Sequence, residues 1–189
     1  PTAEYDEIKT QDGKIYILAK ALAPKLFENY EVLSTKTGKD YEFVEYEPLF
    51  DYAEGVIEKN KKAYVCIVDD YVTLEDGTGI VHNAPAFGED DSRVCKKYDI
   101  AFVNLVDTRG RMTETCGEMA GMFVKDADKV VIKLLQEKGQ MFNVLEFTHS
   151  YPFCWRCNTP LIYYARSSWF IKTTAVKDNL IRANNSINW

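Results

Sequence analysis

A chain of 189 residues with a net charge of −6, 46% hydrophobic and 28% charged, can build one sizeable domain, or one domain and a small appendage. The acidic balance argues against a broad duplex-binding surface, though not against a small pocket for a nucleic-acid end. No apolar run approaches the roughly 20 residues of a membrane-spanning helix, and PTAEYDEIKT lacks the basic end and apolar centre of a signal peptide.

In chain order, Glu4–Lys9 and Lys14–Ala19 read as strands around Gln11-Asp12-Gly13, a hairpin with an Asp-Gly turn. Lys20–Asn29 reads as a short helix with Pro24 in its first turn. Glu31–Thr35 and Tyr41–Tyr46 bracket a turn at Thr37-Gly38-Lys39, and Lys59-Asn60-Lys61-Lys62 is a solvated basic loop. Ala63–Val68, Tyr71–Leu74 and Ile80–Ala84 follow as strands. Asp90–Tyr98 predicts a helix with acids in its first turn, where the helix dipole favours them. Ile100–Val106 is a strand, and Ala127, Val130, Val131, Leu134 and Leu135 give Asp126–Lys138 a helical period that stops at Gly139. Phe142–Phe147, Leu161–Tyr164 and Trp169–Lys172 read as strands, and a helix starts from Ala175. Short strands with few helices predict a mixed α/β fold, a compact β-barrel-like closed sheet with peripheral helices. An internal boundary is expected near His149–Pro152, giving a domain over 1–150 and a segment over 151–189. The start at Pro1 rather than methionine reads as a piece of a longer chain.

The stretch GTGIVHNAPAFGEDD, Gly77–Asp91, carries more than punctuation. Gly77 and Gly79 suit a turn or bulge, and Pro85, lacking an N–H, ends strand pairing. Strand alternation places Ile80, His82 and Ala84 on one face, so His82 taken alone is a core histidine with a satisfied hydrogen bond. Helical phase separates the three acids. Asp91 shares a face with Val94, Cys95 and Tyr98, Glu89 is placed to pair with Arg93, and Asp90 looks toward Lys97 or solvent. A carboxylate turned inward needs a partner. No local base lies on that face, so the open alternatives are a bound ammonium group and backbone N–H groups at the helix start. A Walker loop, a nucleophile elbow and a Gly-x-Gly-x-x-Gly are all missing. His82 with Asp90 and Asp91 could ligate a metal, but the second histidine, His149, lies far off in sequence.

The same stretch resembles the signature of the editing domain of isoleucyl-tRNA synthetase, a class I synthetase's connective peptide 1 insertion. His149–Ile171, HSYPFCWRCNTPLIYYARSSWFI, resembles the place where that insertion returns toward the catalytic body, and Val124–Asp128 matches a helix start of the family. Phe87 and the run DSRVC, Asp91–Cys95, look closer to the eukaryotic cytosolic type. The resemblance implies a domain that hydrolyses valyl-tRNA(Ile), and valyl-adenylate as a second substrate, by attack of water on the activated ester. Its partners would be the 3′ end of tRNA(Ile) carrying valine and the rest of the synthetase chain, in the cytoplasm and away from membranes. Asp91 would hold the substrate α-ammonium group and His82 would be a side-chain size gate rather than a general base. A threonine-rich segment of the family lies upstream of the position matched by Pro1, so hydrolysis by these residues alone is expected to be weak or lost.

Five cysteines are present, with Cys66, Cys95 and Cys116 isolated, which suits a reducing compartment such as the cytosol. Cys154-Trp155-Arg156-Cys157 offers two ligands where a structural zinc takes four. The resemblance implies half a zinc site, completed in some family members by a second pair upstream, and no cofactor is expected within this chain itself. A redox pair is disfavoured because no βαβ unit surrounds it.

Overall fold

The computed structural model describes residues 1–146, 148 and 150–188. Its one extended sheet has three antiparallel strands, β1 (Glu4–Thr10), β2 (Ile15–Ala19) and β3 (Tyr30–Thr37), in the order β2-β1-β3. The turn after β1 has Gly13 at φ +83°, the left-handed conformation expected of an Asp-Gly turn. Tyr5 faces Ala19 and Lys9 faces Ile15 across one edge, while Glu4 faces Thr37 and Thr10 faces Tyr30 across the other, with a register shift between Glu7 and Ile8. Alternation buries Asp6 and Ile8 on one face of β1. The Thr35 hydroxyl donates to Asp6 Oδ1 at 2.6 Å, satisfying part of that buried carboxylate.

Helix α1 (Ala23–Leu26) is a single turn rather than the ten-residue helix expected. Pro24 occupies its first turn and Phe27 is already extended. Ala23 closes a core with Ile8 and Leu18, flanked by Tyr16, Phe27 and Tyr30. A second core forms around Cys116, Met119 and Ala127. Helix α3 (Val124–Glu137) packs there through Ala127, Val130 and Val131, the periodic face read from sequence. Gly139, at φ +67°, ends it.

The closed sheet expected from the many apolar runs is not formed: the sheet is open at β2 and β3. Tyr41–Tyr46 and Ala63–Val68 share three backbone hydrogen bonds, Phe43 N–H to the Cys66 carbonyl, Cys66 N–H to the Val44 carbonyl and Tyr46 N–H to the Tyr64 carbonyl, yet these segments and Ile100–Val106 reach only isolated bridges, Glu45 with Val65, Lys62 with Ile100 and Val106 with Met112. Phe43 and Tyr64 have positive φ values of 67° and 53° within two of these runs. A left-handed residue breaks the pleat, so a bridge cannot grow into a ladder. The described parts of the runs at 71–74, 80–84, 142–147, 161–164 and 169–172 form no strand either, and Phe147 lies outside the described residues.

Beyond residue 150 the chain is mostly exposed. The bridge Phe153–Pro160 closes a tight turn, Ala165 N–H donates to the Ala86 carbonyl at 2.6 Å, and helix α4 (Lys177–Asn185) buries no residue. His149, at the expected boundary, lies outside the described residues. Among those described, no helix is long and apolar enough to cross a membrane.

Candidate functional site

A largely apolar cavity of about 1110 Å³ opens between the sheet and the loosely paired segments. Its wall includes His82, Asn83 and Tyr71, with Tyr41, Tyr46 and Tyr64 on other parts of the lining. The motif segment reaches it through one close approach. Ala19 N–H donates to the Thr78 carbonyl at 2.8 Å, and the Tyr5 hydroxyl donates to the Gly79 carbonyl at 2.8 Å. Gly79 is buried at φ +75°, and a Cβ there would stand 2.6 Å from Ala19 Cβ, so the segment can lie against β2 only with glycine at this position.

Beyond Gly79 the backbone leaves the sheet. Ile80, Val81 and His82 are exposed, so His82 is not the core histidine that strand alternation predicts. The reason is the missing ladder: without a paired neighbour there is no apolar layer to bury it. Its side chain instead borders the cavity. Phe87 N–H bonds back to the Ala84 carbonyl at 2.9 Å, making the turn around Pro85 that feeds helix α2 (Glu89–Lys97).

Helix α2 begins at Gly88 without a side-chain cap and carries Glu89, Asp90 and Asp91 in its first turn. Glu89 and Asp90 are exposed, whereas Asp91 is half-buried on the side of the buried Val94 and Cys95. Helical phase and burial agree on which of the three acids turns inward. Asp91 Oδ2 accepts the Ala84 N–H at 3.0 Å, a bond seven residues back in the chain. Among the described residues no lysine or arginine forms an ion pair with it. The backbone thus supplies one of the two open alternatives for Asp91, but from the preceding turn rather than from its own helix. A Cβ on Gly88 would lie 2.8 Å from that same Oδ2, so the carboxylate folds over a glycine.

The other two acids pair differently from expectation. Arg93 takes Asp90, at 3.2 Å, rather than Glu89, and also reaches Asp69 at 3.5 Å. Lys97 pairs with Asp69 at 3.5 Å rather than with Asp90. Asp69 comes from a distant loop, so helix phase alone could not show it competing for both cations.

The cavity is poor in nucleophiles. Burial pushes the Cys66 and Cys95 thiols upward, with Asp91 adding to the effect at Cys95. Burial also raises the Tyr41, Tyr46, Tyr64 and Tyr71 phenols, keeping them protonated donors. The hydroxyls of Tyr41 and Tyr64 are buried without a hydrogen-bond partner among the described residues. Tyr71 and Asn83 are lining residues that sequence reading missed, because their meeting depends on a loop-to-loop approach and not on spacing.

His82, Asp90 and Asp91 do not form a metal-binding cluster, and among the described residues no group of three or more His, Cys, Asp and Glu converges as one. Cys154 and Cys157 share a tight turn in which Cys154 N–H donates to the Thr159 carbonyl at 2.9 Å and Asn158 N–H to the Cys154 carbonyl at 2.8 Å. Hydrogen bonding from Thr159, followed by that from Cys154, lowers the Cys157 thiol. The turn thus presents two thiol ligands, to which a metal would need others added.

No family model matches the chain. It is 46% identical over 98% of its length to an isoleucine--tRNA ligase of Clostridium novyi, and 47% identical over 98% to that of Clostridium kluyveri. An isoleucine--tRNA ligase of Bacillus thuringiensis is 42% identical over 100%. All three are bacterial, which corrects the eukaryotic character read from Phe87 and DSRVC. The chain spans only 18% of the length of each of these relatives. Over almost its whole length, then, the chain is similar to a segment making up about a fifth of bacterial isoleucine--tRNA ligases.

Proposed function

We propose that this chain is the proofreading module of an isoleucyl-tRNA synthetase, acting in the cytoplasm on tRNA(Ile) mischarged with valine, and on valyl-adenylate as a second substrate. The observation that carries the reading is the placement of His82 on the cavity wall, two residues before the Ala84 N–H that holds the Asp91 carboxylate. The similarity to isoleucine--tRNA ligases supports it.

The need for such a module follows from pocket energetics. A synthetic site built for isoleucine rejects valine by only one methylene, roughly 1–3 kcal/mol, a figure for which these enzymes are themselves the usual illustration. A second pocket reverses the sieve: it admits valine, excludes isoleucine by size, and hydrolyses what enters. Asp91, with one oxygen on Ala84 N–H and no cationic side chain paired to it among the described residues, anchors the substrate ammonium. His82 limits the side chain. The ester is already activated, so a water held by substrate, terminal ribose and nearby polar groups suffices as nucleophile. Raised thiols and phenols in the cavity agree with a reaction that uses no protein nucleophile.

In this reading residues 1–150 are the proofreading domain and 151–189 return toward the rest of the synthetase. Zinc, in proteins that bind it here, would be held by Cys154 and Cys157 with ligands from outside this chain. The test is deacylation of valyl-tRNA(Ile) and isoleucyl-tRNA(Ile) by the full-length synthetase and by the 189-residue chain. The full-length protein should hydrolyse the valyl ester selectively. The short chain should be weak or inactive, because the family's threonine-rich segment is expected upstream. Equal hydrolysis of both esters, or none by the full-length protein, would refute the assignment.

A further inference from the structure

We propose that Tyr71 is a positioning residue of this site, acting through Asn83. The proposal rests on the proofreading reading above and adds a residue to it.

Asn83 lies between the two elements that matter, with His82 before it and Ala84, whose N–H holds Asp91, after it. Among the described residues no strand ladder fixes this segment, and neither His82 nor Asn83 has a backbone N–H bond of the kind that pins a strand. A free backbone at that point would leave both gate and anchor loose. What ties it down is a side chain: the Tyr71 hydroxyl donates to Asn83 Oδ1 across twelve residues of sequence, in a half-buried setting. Both residues line the cavity.

Tyr71 also stands within the field of the anchor. Its phenol is raised first by burial and next by the Asp91 charge. A phenol so raised stays protonated and remains a donor to Asn83, and it is a poor base. Because its hydroxyl is engaged by Asn83, Tyr71 does not need to touch substrate to matter. It clamps the residue between gate and anchor. This is support from behind a site, of the kind that keeps functional side chains within tolerance of their working geometry.

The experiment uses the full-length synthetase with Tyr71→Phe, Asn83→Ala and the double variant. Deacylation of valyl- and isoleucyl-tRNA(Ile), isoleucine charging and thermal melting are measured on each. Losing one neutral hydrogen bond should lower kcat/KM for the valyl ester by roughly two- to tenfold, mainly by raising KM. Hydrolysis of the isoleucyl ester should rise, narrowing discrimination, while charging and melting stay as in the wild type. The double variant should be no worse than the more affected single one, since both remove the same bond. Unchanged discrimination in Tyr71→Phe, additive single effects, or losses that follow the melting temperature would each overturn the proposal. Asn83→Ala gives an independent reading if Tyr71→Phe fails to fold. If the wild type itself leaves valyl-tRNA(Ile) intact, the proofreading assignment falls, and the proposal with it. If only the Tyr71 and Asn83 variants behave as wild type, the assignment stands and the positioning role alone is lost.

Discussion

At the scale of single residues, the proposed function turns on Asp91, whose neighbours Ala84 and Val94 line the cavity while it does not itself. Asp91→Ala removes the charge and leaves the Ala84 N–H without its acceptor. A hydrogen bond to a charged group contributes about 1.5–3 kcal/mol, so deacylation of valyl-tRNA(Ile) should drop by at least roughly tenfold and approach zero. Undiminished hydrolysis would remove Asp91 from the site. His82→Ala should act on selectivity instead, letting the isoleucyl ester be hydrolysed while the valyl rate is largely kept. An enzyme that still spares isoleucyl-tRNA(Ile) would show that His82 is not the gate. Gly88 offers a subtler probe. Its φ of −135° and ψ of 142° suit any residue, but an added Cβ would meet Asp91 Oδ2 at 2.8 Å. Gly88→Ala should therefore imitate the Asp91 defect with little change in melting temperature, a separation that calorimetry beside a deacylation assay can read.

At the scale of elements, the motif hangs on Gly79 and helix α2. Gly79→Ala places an L residue at φ +75° with its Cβ 2.6 Å from Ala19 Cβ. The left-handed backbone alone costs about 1–2 kcal/mol, and the clash with β2 adds to it. Thermal unfolding should register a clear loss, and a neutral result would mean that the 78–79 segment does not lie against β2. The turns set the acid limit of stability. Arg111 and then Arg109 backbone N–H groups hold Asp107 below its ordinary range, the Thr37 hydroxyl and N–H do the same for Asp40, and Lys39 followed by Tyr98 lowers Glu42. Groups with a depressed folded pKa stabilise the fold fully above their unfolded pKa and lose that contribution as pH falls through the folded value. Stability should thus hold through neutral pH and decline progressively below about pH 4, near the unperturbed carboxylate values. Unfolding midpoints that stay level down to pH 2 would contradict this.

At the scale of the whole molecule, two surfaces stand out. One is the cavity of about 1110 Å³, which the proposed function would fill with an amino-acid side chain and the nucleoside esterified to it. The other is the stretch beyond residue 150, where Trp155, Tyr163, Trp169, Phe170 and Ile171 are exposed. Apolar groups so concentrated are characteristic of an interaction surface, and under the proposed function the rest of the synthetase would cover it. Tryptophan emission from Trp169 should be solvent-like in the 189-residue chain and shift to shorter wavelength in the full-length synthetase. Identical spectra would argue that residues 151–189 do not dock on the remainder.

Local pattern settled much of this protein by itself. The Asp-Gly hairpin, helices α2, α3 and α4, and the inward turn of Asp91 relative to Glu89 and Asp90 all follow from rules that act within a few residues: turn conformation, helical period and dipole. Tertiary structure decided what pairs with what. Alternation implies a buried His82 because it assumes a neighbouring strand, and among the described residues none pairs there. Apolar runs imply a barrel, but positive φ at Phe43 and Tyr64 keeps these segments to isolated bridges. Asp69 draws Arg93 and Lys97, and Tyr71 finds Asn83, through approaches between distant loops. Spacing records the period of an element, whereas the partner of a side chain depends on where the whole chain brings other elements.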